Sequence, residues 1–198
     1  YYRVIREAGY IILHYMFFYV MNDWRSTFYG VNDHEADWEQ IFVYLSDNAG
    51  EDPEPEWVAY ASHDYQGDNL RRRWDDPDLH KFDGTHPIIY AGAGSHASYF
   101  QPGEYLTHVR IRALEPLRNL LQEVRKVWMR RLGQGSSEKL AQEVDDLFSI
   151  PFVDYARGDG LCIGPGQPHT WSRLPLSDDL AWVESYRGLW GLDTKDPF

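Results

Sequence analysis

The chain is short of cysteine, of positive charge and of long apolar runs, and each shortage narrows what it can be. One cysteine, Cys162, stands among 198 residues, so no disulfide forms within the chain. A single thiol is compatible with the cytoplasm, though a large extracellular chain also does without disulfides. Lys and Arg number 19 against 31 Asp and Glu, a formal net charge of −12. Nucleic acid is disfavoured as a partner, because phosphate contacts along a duplex need a basic surface. The acidic balance is compatible with cations. The longest apolar run, Ala8 to Met21, contains His14 and is too short to span a bilayer, so no transmembrane segment is expected. There is no internal repeat, no nucleophile elbow, no zinc-protease helix and no phosphate loop. The first residue is Tyr1, so the chain reads as a fragment of a longer one and the lack of a leader carries no weight.

What is abundant is aromatic. Trp, Tyr and Phe number 8, 14 and 9, and apolar residues make up 43%. Such residues suit half-buried pleated surfaces, which points to β structure. From Ile5 to about Asp64 the texture is β throughout: "YIILHYMFFYVM", "QIFVYLS" and "WVAYASHD", separated by turn residues. Tyr65 to Thr85 reads as a long polar excursion. "HPIIYAGAGSHASYF" reads as strand, glycine turn and strand, and "EYLTHVRIRA" as another strand. Between Glu115 and Ser149 the period changes. Leu117, Leu120, Leu121, Val124 and Trp128 keep helical spacing, and Pro116 suits a first turn. A second helix is expected through Leu140, Val144, Leu147 and Phe148. From Pro151 the texture reads as irregular. The expectation is one mostly β domain over residues 1–198, a β-sandwich with a helical hairpin inserted at about 115–149.

The chemistry-bearing stretch is "NDHEADWEQIFVYL", Asn32 to Leu45. With a strand period of two, Asp37 and Glu39 share a face with Ile41, Val43 and Leu45. If that face is the core face, two carboxylates point inward at one end of a sheet. Burying even one ionised carboxylate costs several kcal/mol unless it is paired or binds a metal. His34 reaches the same region. Other polar groups gather where loops meet strands: Asp23 after one aromatic strand, Ser62, His63 and Asp64 after another, and Ser95 and His96 before a third. Two carboxylates with imidazoles suit a divalent cation, Mg²⁺ or Ca²⁺ ahead of Zn²⁺. The same set suits acid–base catalysis, with His63 or His96 as general base. A rim of ordinary ion pairs, with His34 or Arg25 neutralising Asp37, is the plain alternative. Arg71, Arg72, Arg73 and Trp74 offer either a ligand wall or a solvated charge run.

His34-Glu35-Ala36-Asp37-Trp38-Glu39 resembles the signature of the necrosis- and ethylene-inducing-like proteins, which reads Gly-His-Arg-His-Asp-Trp-Glu. "VAYASHDYQG" and "HPIIYAGAGSHASYF" are similar to later segments of that family. They are also similar to the Ser-x-His and Gly-Ser-His-Ala segments of the vacuolar protein sorting-associated protein sixty-two family. The resemblance covers about residues 10–100. It implies a β-sandwich holding a divalent cation at one rim through His34, Asp37 and Glu39, with His63 near the cation and Asp23 the nearest counterpart of a further Asp. It implies a polar ligand, a glycan or lipid headgroup, and a secreted or membrane-peripheral setting. Ala36 stands where the signature has its second histidine and Asp33 where it has glycine, so the cation site is expected without the toxin activity. A metal-dependent hydrolase of esters or phosphodiesters and a purely structural cation or ion-pair site are the alternatives.

Overall fold

The computed structural model describes residues 1–23, 33–62, 67–110, 115–132 and 149–191. The protein is mostly β. Strands β1 (Tyr2–Glu7), β2 (Tyr10–Asn22), β3 (His34–Ser46), β4 (Pro55–Tyr60) and β5 (Arg71–Arg73) form one antiparallel sheet in sequence order. Three two-stranded ribbons accompany it: β6 (Lys81–Phe82) with β7 (His86–Pro87), β8 (Tyr90–Ala91) with β9 (Ser98–Tyr99), and β10 (Gly103–Arg110) with β11 (Ser149–Ala156). Helices are α1 (Glu115–Leu132) and the single turn α2 (Ala181–Glu184). The chain forms two compact units, one of residues 1–105 with 154–198 and one of residues 106–153. The second unit carries the expected insertion. Its first helix is α1, with Pro116 in the first turn, and the second predicted helix lies outside the described residues. No helix among the described residues is long and apolar enough to cross a membrane.

The sheet follows from the aromatic and branched runs. β2 and β3 pair over their full lengths, from Tyr10 opposite Ser46 to Asn22 opposite His34. A two-residue turn joins β1 to β2, with Ala8 at φ 51° and Gly9 at φ 81°. Two positive φ values give the turn the twist that a tight hairpin requires.

Alternation divides the sheet into two faces. One carries Leu13, Tyr15 and Phe17 of β2, Ile41, Val43 and Leu45 of β3, and Val58 and Tyr60 of β4. These close over Leu79, Trp74, Ile89 and Phe100 to form the main core. Each buried side chain of this size contributes about 1.5–3 kcal/mol relative to exposure. The other face is aromatic. Trp38 meets Phe18 at 4.8 Å and stacks on Trp182 of α2 at 5.4 Å, and His14 stacks on Phe42 at 4.4 Å. His14 accepts from Arg3 Nε at its Nδ1, so its Nε2–H donates to Gln40 Oε1 at 3.0 Å.

Two readings change. The run Arg71–Arg73, expected within a polar excursion, is an edge strand paired with Trp57 to Ala59. Charge on an edge strand blocks further pairing while aromatic faces hold the guanidinium groups: Arg72 lies 4.7 Å from the Phe100 ring centre, and Arg71 and Arg73 lie over Trp57. Residues after Pro151, expected to be irregular, begin within β11.

Candidate functional site

The alternation of β3 runs unbroken from its apolar half into its charged half. Asp37 and Glu39 lie on the core face with Ile41 and Val43, and Tyr19 stands opposite Asp37 in the register. Asp37, Glu39 and Asp154 are 6%, 3% and 1% exposed, so three carboxylates are withdrawn from water in one region. Ala36 sits at φ 61° immediately before Asp37, a left-handed conformation that costs a non-glycine residue about 1 kcal/mol or more.

The turn between β8 and β9 brings the second half of the site. Gly92 N donates to Ala97 O at 2.9 Å and His96 N donates to Gly92 O at 3.0 Å, closing a compact loop. His96 takes φ 58° within it. Its Nδ1 lies 2.9 Å from Asp37 Oδ2, and its ring stacks on Tyr19 at 3.9 Å and 8°. The carboxylate accepts from Nδ1–H, which leaves Nε2 as the lone-pair nitrogen of the neutral ring. A buried carboxylate thus orients an imidazole whose far nitrogen is available for a ligand or a proton.

Asp154 arrives from β11. Ser95 Oγ donates to its Oδ2, and Tyr99 OH donates to the same oxygen at 2.8 Å. Ser95 Oγ also accepts from Ala97 N at 3.1 Å, so one hydroxyl ties the turn to β11. The other carboxylate oxygen, Asp154 Oδ1, is buried with no hydrogen-bond partner among the described residues. Residue 92 has to be glycine for this packing. A Cβ there would sit 2.5 Å from Asp154 Oδ1 and closer still to Oδ2 and to Ser95 Oγ.

Accumulated negative charge shows in the titration of the neighbours. Burial, then Asp37 and Asp154, push the Glu39 carboxyl up to about 8. Burial, then Glu39 and Asp37, push the Tyr19 phenol up to about 12. Raised in this way, the Glu39 carboxyl is favoured in its protonated form at neutral pH unless a positive charge takes the proton's place.

The structure joins Asp37, Glu39, Ser95 and His96 and adds Tyr19, Tyr99 and Asp154. Asp37 is bonded to His96, not to His34, whose Nδ1 lies 3.4 Å from the Glu35 carbonyl oxygen. Asp23 is exposed just past β2. His63, Asp64 and Arg25 lie outside the described residues. Ser62 lines a separate small cavity beside Tyr99. Arg73 and Trp74 are not part of this rim. Arg73 pairs with Trp57, which pairs with Tyr44, seven residues along β3 from Asp37 and roughly 23 Å away by strand rise. Arg73 bonds Asp75 at 2.9 Å, and Trp74 packs on the core and under the Lys81 ammonium.

Among the described residues, no three His, Cys, Asp or Glu side chains converge as a ready metal cage. Asp37, Glu39 and Asp154 supply hard oxygen donors, His96 a borderline nitrogen, and the orphaned Asp154 Oδ1 is a polar atom short of a positive neighbour. By ligand type these are donors that a divalent cation takes, although among the described residues three of them do not converge on one point. No family model, no curated protein and no solved structure matches this chain.

Proposed function

We propose that the rim built by β3 and the Gly92–Ala97 turn is a cation-assisted binding site for a polar ligand, a glycan or a lipid headgroup. The observation that carries the reading is the withdrawal of Asp37, Glu39 and Asp154 from water within one region, with Asp154 Oδ1 left without a donor among the described residues. Buried acids persist when an opposite charge offsets their desolvation, and a divalent ion offsets more than one of them. Asp37 and Glu39 would hold the ion, with His34 and His63 as the further ligands that the resemblance to the necrosis- and ethylene-inducing-like family implies. An ion held this way offers its open positions to hydroxyl or phosphate oxygens.

Calorimetric titration of Ca²⁺, Mg²⁺ and Zn²⁺ into metal-stripped protein tests the reading. One of them binds saturably to the wild type, and Asp37→Asn weakens it at least tenfold. Equal binding by wild type and variant removes the proposal.

A second reading rests on the His96–Asp37 pair. An imidazole oriented by a buried carboxylate is the base half of a hydrolytic site, acting on an ester or phosphodiester. Turnover of p-nitrophenyl esters or bis(p-nitrophenyl) phosphate that is lost in His96→Gln would favour it over simple binding.

A further inference from the structure

β1 is the outermost strand of the five-stranded sheet, and little of it is packed away. None of its six residues is buried, and none joins the main core. Its backbone pairs with β2 from Tyr2 opposite Tyr15 to Glu7 opposite Tyr10. Tyr2 also exchanges backbone bonds with Leu174 and Leu176, at 2.9 and 2.7 Å. Among the described residues, two side-chain bonds tie β1 to the rest of the chain. Arg6 reaches Asp47 in an exposed ion pair, a kind that contributes little. Arg3 reaches His14.

His14 is 4% exposed, and both ring nitrogens are committed. Nδ1 accepts from Arg3 Nε at 3.1 Å, Nε2–H donates to Gln40 Oε1 at 3.0 Å, and the ring lies flat on Phe42. A guanidinium donates and never accepts. The Arg3 bond therefore exists only with a neutral imidazole. A proton on Nδ1 sets hydrogen against hydrogen and positive charge against positive charge, in a place largely shut off from water. The surrounding groups offer no relief. On β1, Arg3 shares its face with Ile5 and with Glu7, but Glu7 stands opposite Tyr10, four residues along β2 from His14. The Tyr1 ammonium, bonded to Met16 O at 2.7 Å, adds a second positive charge. Ile12 and Met16 on β2 and Gln40 and Phe42 on β3 are uncharged, and beyond Phe42 lie Ala59 of β4 and Arg71 of β5. Burial holds the His14 ring below its ordinary value, Gln40 offsets part of this, and Arg3 and the Tyr1 ammonium add to it.

We propose that His14 is an acid-operated latch: protonation of its ring breaks the bond to Arg3 and frees β1, while β2 to β5 stay paired. The remaining strands keep Ile41, Val43, Val58 and Tyr60 buried on a face that owes nothing to β1. Opening at this edge is therefore local. It uncovers the backbone edge of β2 and unfastens the 174–176 segment from Tyr2. An uncovered edge is a template for a further strand, so the sheet offers that template in a mildly acidic milieu and withholds it at neutral pH. The latch uses no residue of the cation rim.

Hydrogen exchange of the full chain in chelator, at pH 6.5 and 5.0 and read as protection factors, tests this. A group that is neutral when closed and free to ionise when open changes an opening equilibrium by at most about tenfold per pH unit. On acidification the β1 amides lose about three- to tenfold in protection relative to those of Ile41 to Val43 and Val58. His14→Gln removes this loss, and since the Tyr1 ammonium is present in both chains the difference belongs to His14. The Glu39 carboxyl stabilises the fold as pH falls over this range, so it does not imitate the effect. In proton NMR the His14 ring of the folded chain titrates below 6.5, and Arg3→Gln moves it upward, because Gln accepts from a protonated Nδ1. Parallel loss of protection in β1 and in the β3–β4 amides overturns the proposal. So does a pH response retained in His14→Gln, or a folded His14 that titrates at or above 6.5. If His14→Gln does not fold, Arg3→Gln, at an exposed position on the edge strand, decides: a smaller acid response of β1 supports the latch and an unchanged one overturns it.

Discussion

Replacing Glu39 by Gln should change how stability depends on pH. In the unfolded chain this carboxyl ionises near 4.5, and in the folded chain burial and two neighbouring acids hold its proton to about 8. Between those values the folded state binds more protons than the unfolded state, so stability falls as pH rises. The slope approaches 1.4 kcal/mol per pH unit where the difference is a full proton. His14 opposes this below about 6.5, because burial lowers its folded value and protonation then favours unfolding. From pH 6.5 to 8 the half-buried Tyr1 ammonium, lowered from 8.0 by burial, opposes it in the same sense as His14, so the difference between wild type and variant isolates the Glu39 contribution, about 2 kcal/mol. For a chain of this size that is a fall of roughly 4–8 °C in the melting midpoint. The assay is thermal or urea unfolding of metal-stripped wild type and Glu39→Gln across that range. The wild type loses stability with rising pH and the variant loses markedly less, since Gln has no proton to release. A saturating divalent cation that binds the rim flattens the wild-type slope by taking the proton's place. Identical slopes for wild type and variant in chelator would refute the reasoning, because Glu39 would then be ionised in both states.

Three further substitutions probe the frame around the site. Ala8→Asn places a residue tolerant of positive φ in the β1–β2 turn and raises stability by about 0.5–1 kcal/mol in urea unfolding. Val58→Ala removes two methyl groups from a fully buried position and costs about 2 kcal/mol, with the same midpoint shift in fluorescence and far-UV dichroism. Gly92→Ala drives a methyl group into Ser95 and Asp154 and costs at least 1–3 kcal/mol. Its distinguishing mark is a perturbed His96 ring in proton NMR, since the same loop positions both side chains.

The half of the site on β3 was legible because a strand has only two faces. Once Ile41 and Val43 are assigned inward, Asp37 and Glu39 follow by parity, and the structure keeps that parity from Asp37 to Val43. His96 was visible as a ligand-type residue at a strand entrance, but its bond to Asp37 spans two elements and leaves no local trace. Asp154 was missed for a physical reason. β11 buries Asp154 and Ala156 and turns Val153 and Tyr155 outward at 42% and 45% exposure, the reverse of the usual apolar-inward pattern. Among the described residues, the hydroxyls of Ser95 in the β8–β9 turn and Tyr99 on β9 make that inversion tolerable, and both are far from β11 in sequence. The arginine run of β5 misled in the same way, since three consecutive charges carry no two-fold hydropathy signal. Tyr19 was hidden among the aromatics of β2, where nothing distinguishes a ring that stacks on an imidazole from one that fills the core.

Ser95 and His96 are adjacent in the chain, yet each reaches a partner 59 positions away, one toward each terminus. No contiguous peptide therefore contains the rim. The hairpins β1–β2 and β2–β3 are near neighbours in sequence and close at small entropic cost, whereas the Ser95–Asp154 and His96–Asp37 bonds each wait for a closure of 59 positions. During synthesis the acidic pair on β3 emerges well before the turn that orients it, and Asp154 emerges last of all. A nascent chain or one truncated before Asp154 would thus display the sheet without the clasp that completes the rim.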